Sequence, residues 1–117
     1  MTVGIIYPAK DPDDTDYRVM VWSSQDATND GSASDSGELQ GATISSHTAV
    51  AQGASITVDS SNLSSIGWRG VTYAINTAVT VWVSGGTAGT NGEVLVEIVT
   101  SDSRTLQKTM TIPIRED

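Results

Sequence analysis

The sequence predicts an all-β fold, an immunoglobulin-like antiparallel β-sandwich of about seven strands. Three observations predict it. Val, Ile and Thr are abundant while Phe is absent, and β-branched side chains suit a pleated backbone. Gly and Ser recur between the apolar runs, where turns need them. Several segments alternate with period two, and none carries the 3.6-residue period of an amphipathic helix.

The elements follow in order. Thr2 to Tyr7 is a short apolar run that stops at Pro8; Pro cannot donate to a ladder, so this reads as an edge strand. Lys10 to Asp16, KDPDDTD, is a turn, and residues 1–16 together read as an N-terminal arm. Tyr17 to Trp22, YRVMVW, is a strand with Tyr17, Val19 and Val21 on one face and Arg18, Met20 and Trp22 on the other. Both faces carry large apolar groups, so either the second face is covered or a bulge shifts the register. The polar stretch 23–41 reads as a long exposed loop.

Strand character resumes at 42–50, with Ala42, Ile44, Ser46, Thr48 and Val50 on one face. Gln52 and Gly53 mark a turn, and Ala54, Ile56 and Val58 alternate after it. Asp59 to Gly67 is turn-rich, and Val71, Tyr73 and Ile75 alternate next. The last third has the clearest pattern. Val79, Val81 and Val83 precede the Gly-rich turn SGGTAGTNG; Val94, Val96 and Ile98 precede a tight turn at 100–104; Met110, Ile112 and Ile114 follow. Three such strands read as an antiparallel meander or hairpin pair.

The 117 residues suit one domain, 1–117. There is no cysteine, which excludes disulfides and thiolate metal sites. The net charge is −8, with six Lys and Arg, which disfavours nucleic acid and anionic membranes. No apolar run approaches the roughly 20 residues of a membrane span, and Met1 to Tyr7 lacks the pattern of a signal peptide.

The search for chemistry yields no catalytic, cofactor-binding or metal-ligating residue. His47 is the sole histidine, and the alternation sets it among Thr43, Ser45 and Ala49 as a solvent-facing strand residue. A nucleophile needs a base beside it, and no GxSxG surrounds any serine. Asp11, Asp13, Asp14 and Asp16 resemble the start of a calcium loop, but Asp16 stands where the Gly belongs and Trp22 where the closing Glu belongs. Glu93 and Glu97 lie on one strand face about 13 Å apart, too far for glycosidase carboxylates. The turn 84–90 lies between strands, whereas a phosphate cradle opens a helix.

The aromatics remain. Trp82 sits on the polar face of a Val strand, and Trp68 lies in a loop-like stretch beside Arg69. Trp and Arg favour interfaces, so Trp22, Trp68, Arg69 and Trp82 are candidate interface residues. Trp22 has the stronger claim to the core.

Two segments carry a family resemblance. Lys10 to Tyr17, KDPDDTDY, with a strand ending in Trp22-Ser23, is similar to the opening of tailed-phage fibre–tail adaptor proteins. Thr80 to Thr90, TVWVSGGTAGT, followed by a strand, Thr100 to Thr105 and the strand Lys108 to Arg115, resembles that family across the last third. About 45 residues resemble it well, and 24–78 do so poorly. The departures are an extra residue before Trp22, Gly92-Glu93 where the family commonly has an aromatic, and Ser103 in place of a common Gly. The resemblance implies a non-catalytic virion protein without cofactor, assembled in the host cytoplasm. It would link the tail to fibres or spikes through contacts with other phage structural proteins, as multiple copies in a symmetric assembly. A capsid decoration protein and a carbohydrate-binding module are the alternatives.

Overall fold

The computed structural model describes residues 3–7, 9–22, 39, 42–52, 56–68 and 70–116. The described residues form nine strands and no helix. The strands are β1 (Val3–Ile6), β2 (Asp16–Val21), β3 (Ile44–Gln52), β4 (Ile56–Asn62), β5 (Ile66–Trp68), β6 (Val71–Tyr73), β7 (Ala78–Gly85), β8 (Asn91–Thr100) and β9 (Thr105–Pro113).

They build a four-stranded sheet in the order β1-β9-β8-β3, a three-stranded sheet in the order β2-β7-β4, and the hairpin β5-β6. Every pairing is antiparallel except β1 with β9, which is parallel. The two larger sheets share one core. Met20, Val79, Val81 and Val83 come from the three-stranded sheet, and Val94, Val96, Ile98, Met110 and Ile112 from the four-stranded one. Alternation explains this, because each strand turns every second side chain inward.

Several expectations change on contact with the fold. About seven strands are expected, and the described residues form nine. The polar run Asp59–Asn62, expected as turn, continues β4 past a bulge between Val58 and Ser60. Ile66–Trp68, also expected as turn, pairs with β6. Both segments lack apolar alternation because they lie at an edge or in a two-stranded ribbon.

The last three strands do not form one meander. β7 belongs to the three-stranded sheet, while β8 and β9 pair in the other. The turn SGGTAGT therefore carries the chain between sheets. Gly85, Gly86 and Gly89 adopt positive φ there, a conformation glycine adopts without steric cost. A Cβ on Gly86 would lie 2.8 Å from Ile114 Cδ1. Backbone bonds from Gly89 N to Ile114 O and from Ile114 N to Thr90 O, both 2.9 Å, tie this turn to the end of the chain.

Both faces of β2 are covered. Met20 and Trp22 enter the main core. Val19 and Val21 form a second small core with Tyr73 and Ala78, against which Tyr17, Ile66 and Trp68 pack. The β5-β6 hairpin thus roofs the outer face of β2 and β7, and the cover comes from the chain itself.

The face assignment of β3 also changes. A register shift between Ile44 and Ser46 reverses the alternation. Ile44 is buried, but His47, Ala49 and Ala51 then share the inner rows with Ile98, Val96 and Val94, and Val50 turns out to solvent. The stretch 23–41 lies outside the described residues except for Leu39. That residue is buried, against the expectation of an exposed loop, and its amide bonds Trp22 O at 3.2 Å.

Candidate interaction surface

An aromatic rank runs from the main core to the outer face of the three-stranded sheet. Tyr17 and Trp82 are cross-strand partners on β2 and β7, with ring centroids 5.0 Å apart and planes inclined at 45°. Tyr17 also meets Trp68 at 6.0 Å, and Trp68 meets Tyr7 at 6.2 Å. The rank runs from buried Tyr7 to Trp82, which is 37% exposed. Tilted aromatic pairs at these separations are each worth about 0.5–1.5 kcal/mol. Trp82 is therefore held in place before any partner arrives, which reduces the entropy lost on binding. On its other flank Trp82 pairs with Ser60 of β4, and Ser84 Oγ donates to Asp59 Oδ1 at 3.1 Å.

The expected interface residues divide. Trp68 and Trp82 are brought together through Tyr17. Trp22 is not with them: it is fully buried on the opposite side of the sheet, with Lys108 Nζ 4.6 Å from its ring centroid. It packs the core and offers no surface, because the alternation of β2 points it inward. Arg69 lies outside the described residues. Tyr17 is not among the expected residues; its place across from Trp82 follows from the β2–β7 register, which neither strand encodes alone.

The N-terminal segment is fastened by buried cations. Lys10 Nζ donates to Asp11 O at 2.7 Å and to Gly85 O at 2.8 Å. Arg18 is also buried; its guanidinium reaches Asp16 Oδ2 at 3.0 Å, Tyr17 O at 2.8 Å and Ala9 O at 2.9 Å. Partial burial opposes ionisation of Asp16, but the Tyr17 amide and the Arg18 guanidinium outweigh it, and the carboxyl sits below its usual 3.8. Asp11 Oδ1 accepts from the Asp13 amide at 2.8 Å, an Asx turn. Among the described residues no group of three or more His, Cys, Asp or Glu converges on a metal position.

His47 is not simply solvent-facing. The bulge in β3 turns it inward, and Nε2 lies 2.9 Å from Ser61 Oγ on β4. That is nucleophile–base distance. Among the described residues no carboxylate orients the imidazole, so they form a pair and not a triad. The pair links strands of two different sheets.

In the tight turn after β8, Ser103 has φ 69°. Asp102 is held below its usual range by the Thr100 hydroxyl first and by Arg104 second. Arg104 also donates to Leu39 O at 2.9 Å. The turn thereby holds Leu39 from one side, while Trp22 O accepts from the Leu39 amide.

Residues 10–113 match a family model described as podophage GP4 fiber-tail adaptor protein gp77. The match takes in 24–78, which the resemblance had covered poorly. No curated protein and no solved structure matches significantly.

Proposed function

The chain belongs to the podophage GP4 fiber-tail adaptor family, and from that premise we propose that it is a non-catalytic virion protein joining the tail to fibres by protein–protein contacts. The family match over 10–113 carries this reading. The surface supports it: the feature most suited to a partner is a pre-ordered Trp flanked by Tyr17, Ser60 and the Asp59–Ser84 pair, and Trp anchors of this kind dominate protein interfaces.

We further read the fold as immunoglobulin-like. Setting aside the β5-β6 hairpin leaves seven strands, three in one sheet and four in the other. Their orders, β2-β7-β4 and β9-β8-β3, correspond to the B-E-D and G-F-C orders of that architecture, and β1 lies parallel to the last strand. Multiple copies in a symmetric assembly fit an adaptor at the joint between tail and fibres.

Particles assembled without this chain test the function. The expected outcome is filled heads with tails that lack fibres. Particles with complete fibres and loosened capsids would instead favour a cement role. Adding back wild-type protein restores fibres; adding back Trp82→Ala restores fewer, by about tenfold if Trp82 is an anchor.

A further inference from the structure

The outer face of the four-stranded sheet carries a second, different surface. Register places Gln52, Val50 and Thr48 of β3 beside Glu93, Leu95 and Glu97 of β8. Val50 is 55% exposed, and Ile6 at the β1 edge is 76% exposed. Glu93 and Glu97 lie two residues to either side of Leu95 on the same strand face, and Gln107 Nε2 donates to Glu97 Oε2. On β9 the residues in register with Glu93, Leu95 and Glu97 are Thr111, Thr109 and Gln107, none of them a cation, and the neighbouring Lys108 is buried. Among the described residues no element roofs these strands as the β5-β6 hairpin roofs β2 and β7.

We propose that this face, centred on Val50 and Leu95 between Glu93 and Glu97, docks a partner protein that presents an apolar side chain flanked by two Lys or Arg residues. The charge pattern selects that occupant. The carboxylates stand four residues apart on a strand, about 13 Å, so the partner's cations need a similar spacing. A second copy of the chain is disfavoured: a two-fold contact would bring four carboxylates into one apolar interface with no cation to neutralise them. The Trp82 rank lies on the other sheet and faces away, so the domain has two separate contact surfaces, as a protein joining two structures requires. The source of the partner, another virion protein, rests on the adaptor reading.

The test measures binding of the purified chain to the purified fibre protein and to the purified tail protein of the same virion. The wild-type chain is expected to bind at least one. For that partner Glu93→Lys and Val50→Lys each weaken binding by about tenfold or more. Asp14→Lys, an equal charge change away from the face, alters it by less than about twofold. Unfolding midpoints check that each variant folds, and the isosteric Glu93→Gln/Glu97→Gln double variant, expected to weaken binding and lower its salt sensitivity, covers the case in which a Lys variant does not. If the wild type binds and all face variants bind equally well, the docking surface is wrong while the adaptor reading stands. If the wild type binds neither protein, the adaptor reading fails and the docking proposal falls with it. Self-association of the chain that Val50→Lys abolishes would overturn the proposal in favour of a second copy.

Discussion

The two sheets turn different outer faces to their surroundings. The outer face of β2 and β7 is roofed by the β5-β6 hairpin and holds a small core of Val19, Val21, Tyr73 and Ala78. The outer face of β9, β8 and β3 has no such cover among the described residues and exposes Val50 on one edge strand of its sheet and Ile6 on the other. Both faces carry apolar residues, and the described residues supply a cover for only one. The roofed face therefore contributes to folding, and Trp82 protrudes at its uncovered end. The open face keeps apolar area in water, as the proposed docking surface requires.

Truncation should separate the faces most strongly. Tyr73→Ala removes a buried aromatic from the roof and is expected to cost about 3–5 kcal/mol, whereas Val50→Ala should stay within about 0.5 kcal/mol. Urea unfolding of both variants measures the contrast, and equal costs would erase it. Next comes the turn that joins the sheets. Gly86 has φ 111° and no room for a Cβ beside Ile114, so Gly86→Ala should lose about 1–3 kcal/mol; a neutral result would mean that the turn has freedom to shift. A smaller effect of opposite sign is expected under the roof. Thr80 Oγ1 is buried and makes no hydrogen bond among the described residues, so Thr80→Val should stabilise the fold by about 1 kcal/mol. Destabilisation would show that the hydroxyl has a partner.

The mildest contrast is in acid. Asp16 in the roofed sheet and Asp102 in the open sheet's turn both titrate below 3.8 in the folded chain. The unfolded chain then binds more protons as pH drops toward that value, so this stability is fully present only above about pH 5 and is lost as pH falls through the folded pKa values. Asp16→Asn and Asp102→Asn should each flatten the acid limb of the unfolding midpoint against pH. Limbs as steep as wild type would mean that these carboxylates are not held low.

The sequence disclosed period-two strands wherever one face was buried and the other wet. From Val79 onward the alternation is regular, and the same residues carried the family resemblance. It was ambiguous where local pattern and tertiary context diverge. YRVMVW has two apolar faces, and only the distant Tyr73 and Ile66 reveal what covers the second. In β3 a single bulge after Ile44 reverses the faces, so His47 moved inward and Val50 outward against the plain alternation. Of the candidate interface residues, Trp82 was legible as an apolar intruder on a polar face. Its partner Tyr17 was not, because cross-strand register is a property of two strands and neither one encodes it alone. The open acidic–apolar face was hidden for the same reason: Glu93 and Glu97 were visible, but their alignment beside Val50 required the β3–β8 register.

The adaptor account meets its most direct test in cryo-electron microscopy of the intact virion. The chain is expected at the junction of tail and fibres, with Trp82 against one neighbour and the Val50–Leu95 face covered by another that brings Lys or Arg to Glu93 and Glu97. Density for the chain only on the capsid lattice, or at the tail with both surfaces in open solvent, would contradict it.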